Sequence, residues 1–235
     1  MTPKSEPKPG AEPKPGAEPK PGVEPSPGTQ TSPGTEPYSR LVYGLSRILI
    51  TRPLRFLFHM ELIGAENWPR RGPAIIASNH ASNLDPPLLC LSYPGFICWM
   101  GKVEIMEAPV IGWYLRKVGA FTVHRGEADR EAIRRARELL GQGYVIGMFP
   151  EGTRQRNGEL GEAQPGVGLL AVTSGVPVIP VRMRGNELII TGGRPRRPKI
   201  TVSVGPPVDL EITGMSKGKA YREASSRIMA AIGKL

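Results

Sequence analysis

The stretch AIIASNHASNLDPP at residues 74–87 passes from a short apolar run into a polar loop and then into two prolines. The run Ala74–Ser78 predicts a buried strand, because a few apolar residues bounded by turn signals suit a strand covered on both faces. Pro86 suits the first turn of a helix, where a missing N–H needs no partner. The stretch therefore predicts a strand, a loop and a helix, the repeating unit of α/β folds.

The loop contains His80 and Asp85. Histidine can take up a proton near neutral pH, and a nearby carboxylate can hold its ring in one tautomer. A separation of five residues does not place two side chains on one helical face, so we predict that they meet through the loop. Such a pair can deprotonate a hydroxyl. The structural alternative is a satisfied buried histidine, with Asp85 as the N-cap of a helix that begins at Pro86.

The same alternation of short apolar runs and helical patterns continues along the chain. It predicts an α/β fold with a mostly parallel, helix-flanked sheet. The predicted strands are Glu61–Gly64, Ala74–Ser78, Phe96–Met100, Ala120–Val123, Val145–Met148, Val178–Arg182 and Ile200–Val204. The predicted helices are Leu88–Leu91, Val110–Val118, Glu127–Leu140, Gly166–Thr173 and Lys217–Ala231.

Residues 1–37 differ from the rest of the chain. A six-residue unit, Glu6–Ala11, repeats from Glu12, from Glu18 and, degraded, from Glu24. Frequent proline and almost no apolar side chains predict a disordered tail with polyproline II character, either a spacer or dispensable. We therefore expect three regions: this tail at 1–37, an amphipathic segment at 38–60 and a folded domain at 61–235.

The chain is strongly basic, with a formal net charge of +10. The tail has four Lys and five Glu, a sum of −1, which leaves +11 for the remainder. Such an excess indicates an anionic partner, namely a phosphate substrate, an acidic lipid surface or a nucleic acid. The two cysteines, Cys90 and Cys98, lie in apolar surroundings and are predicted to be free thiols in a reducing compartment.

Residues 38–60 combine apolar and basic side chains at helical spacing, and Pro53 divides them. The pattern predicts an amphipathic helix pair in the membrane interface, or a face that packs on the domain. The apolar positions are Leu41, Leu45, Ile48, Leu49, Leu54, Phe56, Leu57 and Phe58, beside Arg40, Arg47, Arg52 and Arg55. No uncharged apolar run reaches the ~20 residues that span a bilayer. We expect a peripheral protein on the cytoplasmic face of the cell membrane.

Three further blocks follow the His80 loop: GAFTVHR at 119–125, FPEGTR at 149–154 and VPVIPV at 176–181. The four blocks, in this order, resemble the glycerolipid acyltransferase family, whose best-known member acylates lysophosphatidic acid. The resemblance extends over roughly residues 60–210 and implies the sheet architecture of the glycerophosphate acyltransferases. The residue before Arg125 is often acidic in the family, whereas this chain has His124.

The resemblance also implies roles for individual residues. It makes His80 the general base and Asp85 the residue that orients it, and it places Arg125 on the acceptor phosphate. It assigns Glu151 and Gly152, with the neighbouring Thr153, to the acceptor site, where Arg154 supports phosphate binding. Apart from the resemblance, Lys102 follows a predicted strand and adds a second positive charge for substrate binding.

The implied reaction moves a fatty acyl group from an acyl-carrier-protein or coenzyme A thioester to the hydroxyl of a lysophospholipid. The expected acceptor is 1-acylglycerol-3-phosphate, which yields phosphatidic acid, and another lyso- or glycolipid is the alternative. No metal or bound cofactor is expected. Two rivals are a metal-dependent phosphoesterase that uses His80, Asp85, His124 and Glu151, and a nucleic-acid-binding protein. The second lacks interleaved aromatic residues and any known binding module.

Overall fold

A seven-stranded sheet forms the centre of the protein. The computed structural model describes residues 37–123, 130–191 and 193–235. The strands of the sheet are β1 (Met60–Ile63), β2 (Ala74–Ser78), β3 (Ile97–Lys102), β4 (Ala120–Val123), β5 (Val145–Met148), β6 (Val178–Arg184) and β9 (Ile200–Val204). A separate hairpin pairs β7 (Ile190–Thr191) with β8 (Arg194–Pro195).

Eight α-helices connect or flank the strands in the described residues. They are α1 (Arg40–Ser46), α2 (Arg52–Leu57), α3 (Asp85–Ser92), α4 (Val103–Met106), α5 (Pro109–Lys117), α6 (Arg130–Gly141), α7 (Pro165–Ser174) and α8 (Lys217–Gly233). The predicted helices correspond to α3, α5, α6, α7 and α8, although residues 127–129, the predicted start of α6, lie outside the described residues. The sequence missed α4 and the β7–β8 hairpin, because elements of four and two residues are too short to show a period.

The strand order is β1-β9-β6-β2-β5-β3-β4, with β2 at the centre. All described pairs in this sheet are parallel except β6 with β9. Because β2 has neighbours on both sides and helices on both faces, all five of its residues are buried. The predicted α/β class with a mostly parallel sheet is confirmed.

Two apolar layers cover the sheet. Ile76 packs with α3 and with Phe58, whereas Ile75 packs on the opposite face with α6, α7 and α8. Successive strand side chains point to opposite faces, so one strand contributes to both layers. Each fully buried isoleucine contributes roughly 1.5–3 kcal/mol. Because both faces are covered, loops at the strand ends are where ligands can reach polar groups.

Residues 40–57 form one continuous helical segment and not two separate helices. A π-helical turn, Arg47–Thr51, joins α1 to α2 just before Pro53. Proline lacks an N–H and its ring crowds the carbonyl four residues earlier, so a locally widened turn accommodates it. The two alternatives for this segment apply to different side chains, since Phe58 is buried in the core, whereas Phe56 is 91% exposed.

Within the described ranges, none of the helices combines the length and apolar character needed to cross a bilayer. The repeat tail at 1–37 lies outside the described residues except for Pro37. The proposed boundaries at residues 37 and 60 therefore stay predictions.

Candidate active site

The loops after β2 and β5 meet at one edge of the sheet. The two strands are parallel neighbours, with Ala77 opposite Met148. His80 and Glu151 each follow three residues after that pair, so the register brings them together. The backbone N–H of His80 donates to Glu151 Oε2 at 2.8 Å. The backbone N–H of Gln155 donates to the His80 carbonyl at 2.7 Å, which ties the two loops a second time.

The imidazole of His80 is held on two sides. Its Nδ1 lies 2.8 Å from Asp85 Oδ2, so the predicted contact through the loop is present. The ring stacks on Phe149 with centroids 4.0 Å apart and planes inclined by 14°. Its side chain is 19% exposed, and Nε2 makes no hydrogen bond with the described residues. Because the carboxylate occupies Nδ1, Nε2 is the nitrogen that can receive a proton from a substrate.

The carboxylate of Asp85 is fully buried and accepts four hydrogen bonds. Besides His80 Nδ1, its Oδ2 accepts the backbone N–H groups of Ala81 at 2.7 Å and Ser82 at 2.8 Å. Its Oδ1 accepts Asn186 Nδ2 at 2.9 Å. A buried charge requires such partners, and here they fix the carboxylate and the imidazole in one arrangement.

Asp85 does not cap α3, contrary to the structural alternative considered for it. The helix begins at Asp85, and position Leu84 is its N-cap. Pro86 and Pro87 have no N–H, and the N–H of Leu88 already donates to the Leu84 carbonyl at 3.0 Å. No helix amide is left for the Asp85 side chain, which turns back toward the loop.

Asn186 belongs to the site, although sequence reasoning did not single it out. It is 1% exposed, and its Oδ1 is buried without a hydrogen bond from the described residues. Gly185, at φ +85°, turns the chain after β6, and a Cβ there would collide with the backbone oxygen of Lys199. A Gly-Asn pair after a strand was the available signal, but only the fold shows that it reaches Asp85.

Glu151 uses both carboxylate oxygens on backbone amides. Oε2 accepts His80 N–H, and Oε1 accepts the N–H of Gly161 at 3.1 Å. Burial raises the pKa of Glu151, while these two amides oppose the rise. Among the described residues, no ion pair joins Glu151 to Arg154. Glu151 braces the loop, and its contact with the acceptor stays a prediction.

The other predicted binding residues differ in what the structure describes. Gly152 adopts φ +66°, and both it and Thr153 are exposed beside the loop. Arg154 is half-buried and makes no ion pair with the described residues. Lys102 is the last residue of β3. Arg125, like the neighbouring His124, lies outside the described residues.

Two loop amides that could bind a tetrahedral oxyanion already donate hydrogen bonds to carbonyls of the protein. The N–H of Asp85 donates to the Ser82 carbonyl at 3.2 Å, and the N–H of Gly152 donates to the Phe149 carbonyl at 3.0 Å. These amides are therefore not free in this arrangement of the loops.

A metal site would need several ligating side chains in one place. Among residues 37–123, 130–191 and 193–235, no group of three or more His, Cys, Asp or Glu side chains is arranged to hold a metal ion. His124, which the phosphoesterase hypothesis requires, falls outside these ranges.

The sequence model of the acyltransferase family matches residues 59–184. This range contains the His80 loop, β5 and the loop after it, and it ends at the last residue of β6. It leaves out residues 38–58 and Asn186.

Several curated relatives are similar to this chain. A chloroplastic 1-acyl-sn-glycerol-3-phosphate acyltransferase of Arabidopsis thaliana is 30% identical over 162 residues, covering 67% of this chain and 45% of the relative. The enzyme of that name from Pseudomonas aeruginosa is 30% identical over 161 residues, covering 66% and 61%. The alpha form from Ovis aries is 31% identical over 170 residues, covering 67% and 58%. The chain thus spans about half the length of these relatives.

A solved structure has the same fold. The crystal structure of the 1-acyl-sn-glycerophosphate acyltransferase PlsC from Thermotoga maritima superposes with a TM-score of 0.61. The two chains are 24% identical, and the match covers 81% of each.

Proposed function

The chain belongs to the acyltransferase family, and we propose that it transfers a fatty acyl group from an acyl thioester to the free hydroxyl of 1-acylglycerol-3-phosphate, giving phosphatidic acid. The observation that carries the proposal is the contact of His80 Nδ1 with Asp85 Oδ2, which leaves Nε2 as the proton acceptor. The names of the relatives support the choice of acceptor.

In the proposed reaction, His80 Nε2 removes the proton from the acceptor hydroxyl as its oxygen attacks the thioester carbonyl carbon. The carbonyl electron pair moves to oxygen and forms a tetrahedral oxyanion. Collapse of this intermediate forms the ester and breaks the carbon–sulfur bond. The departing thiolate takes the proton back from His80, so the enzyme returns to its starting state. General-base assistance of this kind contributes roughly 10²–10⁴ in rate.

The buried carboxylate of Asp85 supports this cycle electrostatically. When His80 is protonated, the positive ring lies against a negative oxygen in a site with little water, where the attraction is stronger than in solvent. The stacked Phe149 covers one face of the ring and keeps it from turning away. No metal or bound cofactor takes part in the proposed reaction.

The acceptor phosphate needs positive charge that other groups have not neutralised. Arg154 lacks an ion-pair partner among the described residues, and Arg125 and Lys102 are proposed to join it. An arginine can grip phosphate through two parallel hydrogen bonds. The exposed apolar and basic side chains of residues 38–60 are proposed to hold the protein on the cytoplasmic membrane surface, next to its lipid acceptor.

The test is a transfer assay with purified protein, labelled acyl-coenzyme A or acyl-carrier protein, and a panel of lysolipids. We expect label in phosphatidic acid, and the two donors compared separately decide which thioester is used. Preference for a lysolipid without the phosphate would overturn the acceptor. Phosphate release that depends on added metal would favour the phosphoesterase instead.

The phosphate contacts are tested with Arg125→Ala and Arg154→Ala. Each variant should raise the apparent KM for the lysophospholipid far more than the KM for the thioester, because the lost contact is to the acceptor. Arg222→Ala is a matched control, since Arg222 is exposed on α8, a helix that contributes no residue to the candidate site. Equal changes in both KM values would argue for a structural role.

A further inference from the structure

Helix α5 presents large apolar side chains to solvent. Val110 is 78% exposed, Ile111 55% and Trp113 52%. Val110 and Trp113 are three residues apart, so they share a side of the helix. We call these three residues the α5 face. It is separate from the amphipathic segment at 38–60 and from the residues of the candidate active site.

Packing on α4 keeps the α5 face turned outward. Gly112 is buried, and a Cβ at this position would collide with the Met106 carbonyl oxygen. Arg116 donates from its guanidinium to the same oxygen at 2.6 Å. Since the opposite side of α5 is docked so closely, the helix cannot rotate to bury Val110 and Trp113.

The connections of the fold place the α5 face beside the candidate active site. The chain leaves β3 at its carboxyl end and enters the parallel strand β4 at its amino end. The first turn of α5 therefore lies toward the edge of the sheet where His80 follows β2. The connection from β2 to β3 and the connection from β3 to β4 both lead toward the edge strand β4. Right-handed connections then put α3 and α5 on the same face.

The last turn of α5 adjoins the segment at 38–60. The backbone N–H of Ser39 donates to the Lys117 carbonyl at 2.8 Å, which brings the start of α1 to the end of α5. The segment has exposed apolar side chains at Leu41, Leu49 and Phe56. It contains four arginines and no acidic residue. The exposed Lys117 extends this basic region on α5.

These observations favour an anionic bilayer as the partner of the surface. Apolar side chains bordered by lysine and arginine suit the boundary between headgroups and acyl chains, where tryptophan is also preferred. Each basic group near an anionic surface adds about 1 kcal/mol. Ile105 is left out of the surface, because Glu104 on α4 and Glu107 just after this helix flank it.

We propose that the α5 face inserts into the surface of an anionic bilayer as a second contact beside residues 38–60. The inference rests on the proposed function, in which the acceptor is a membrane lipid. One contact leaves a protein free to tilt on the membrane, whereas two separated contacts fix its orientation. Together they turn the edge of the sheet that contains His80 toward the lipid.

Tryptophan emission provides a direct test. The chain has three tryptophans, and Trp68 and Trp99 are only 5% and 9% exposed. With vesicles of phosphatidylcholine and phosphatidylglycerol, Trp113 should shift its emission to the blue and lose its quenching by aqueous acrylamide. Brominated lipids should quench it. Trp113→Phe should remove these signals while the protein still floats with the vesicles.

A surface variant tests the energetic contribution of the contact. Val110→Ser, Ile111→Ser and Trp113→Ser combined should weaken partition into the vesicles by roughly tenfold or more, since three apolar groups no longer insert. Val172→Ser is the matched control, because Val172 is exposed on α7, across the sheet. The triple variant should also lose activity on vesicle-borne acceptor while keeping it on a short-chain, water-soluble acceptor.

Two results would overturn the inference: unchanged Trp113 emission in vesicle-bound protein, or equal partition of the triple variant and wild type. Protection of Trp113 by an acidic carrier protein without vesicles would assign the surface to that protein instead. A different measurement would contradict the proposed function, namely the absence of acyl transfer by the wild-type protein to 1-acylglycerol-3-phosphate in detergent. That result leaves the Trp113 measurements valid on their own.

Discussion

The loops after β2 and β5 both hold a buried carboxylate, yet the two acids have different partners. Asp85 binds the imidazole of His80, two loop amides and the Asn186 side chain. Within the part of the chain that the structure describes, Glu151 binds only the backbone amides of His80 and Gly161. The first acid is coupled to a ring that can change its charge, and the second to groups that cannot.

The difference indicates two kinds of support for one histidine. In the proposed reaction, Asp85 sets the tautomer of the ring and stabilises its positive form, so it acts on the chemical step. Glu151 holds the backbone from which that ring projects, so it acts on position. Loss of the Asp85 charge should change turnover with little change in fold. Loss of the Glu151 carboxylate should change both turnover and stability.

The largest effect is expected from replacing His80, because both loops hold its imidazole ring in place. We expect His80→Ala to lower turnover by roughly 10²–10⁴, because the proton acceptor is lost. The fold should persist, since the ring is partly exposed and its main role is chemical. Initial rates with saturating substrates, beside a circular dichroism spectrum, measure both. A variant that keeps more than a tenth of wild-type turnover would falsify the general-base role.

Asp85→Asn removes the charge and keeps the shape. The new amide group can face Asn186, whose unpaired Oδ1 becomes an acceptor if that side chain flips. We therefore expect a stable protein with turnover reduced by roughly a hundredfold or more, since the charged ring loses its counterion. Urea unfolding tests the expected stability, and steady-state rates test the expected loss of turnover. Near-normal turnover would show that Asp85 is structural only.

Glu151→Gln keeps one acceptor oxygen and places an NH₂ group against a backbone N–H. The unsatisfied donor should lower the free energy of unfolding by about 1–3 kcal/mol. Turnover should fall by roughly ten- to hundredfold, because small displacements of a catalytic group are costly. Urea unfolding at pH 7 and initial rates measure these effects. Unchanged stability would contradict the bracing role.

The pH dependence of stability provides a further test of Glu151. Burial raises the pKa of Glu151 above the value of about 4.3 for an unfolded chain. The folded protein then holds this proton to a higher pH than the unfolded chain does. Its contribution to stability is complete below about pH 4.3 and is lost as pH rises through the raised pKa. Glu151→Gln should lack this decrease in unfolding experiments between pH 4 and 7.

Asn186→Ala should have the mildest effect of these variants on turnover. It removes one of four hydrogen bonds to Asp85, worth about 1 kcal/mol, so turnover should fall by roughly fivefold. If Asn186 positions Asp85, the variant should change kcat and its pH profile while the KM values stay near wild type. A change confined to thermal stability would assign Asn186 to packing alone.

Much of this architecture could be predicted from residue patterns. Ala74–Ser78, Ala120–Val123, Val145–Met148 and Ile200–Val204 have the same bounds in the prediction and in the structure. Short apolar runs between turn signals predict strands well when both faces are buried. Some predicted boundaries differ from those in the structure. The predicted helix Leu88–Leu91, for example, is part of α3, which begins before the two prolines.

The contacts of the site could be predicted only where they are local. His80 and Asp85 lie in one loop, and their meeting followed from their spacing. Asn186 is 101 residues from Asp85 along the chain, so no local pattern connects them. Phe58 is a similar case, because its sequence pattern left both a membrane-facing and a core-facing position open. It continues an amphipathic pattern, but the core beneath α3 buries it.

The sequence by itself determined the fold class, the order of the motifs and the pairing of His80 with Asp85, because periodicity and short loops act over a few residues. Only the tertiary structure decided which groups complete the site and which side chains face solvent. The parallel register of β2 with β5 brings Glu151 under His80, and the turn at Gly185 brings Asn186 to Asp85. The docking of Gly112 on α4 leaves Trp113 exposed. These outcomes depend on contacts between distant segments, which exist only once the chain has folded.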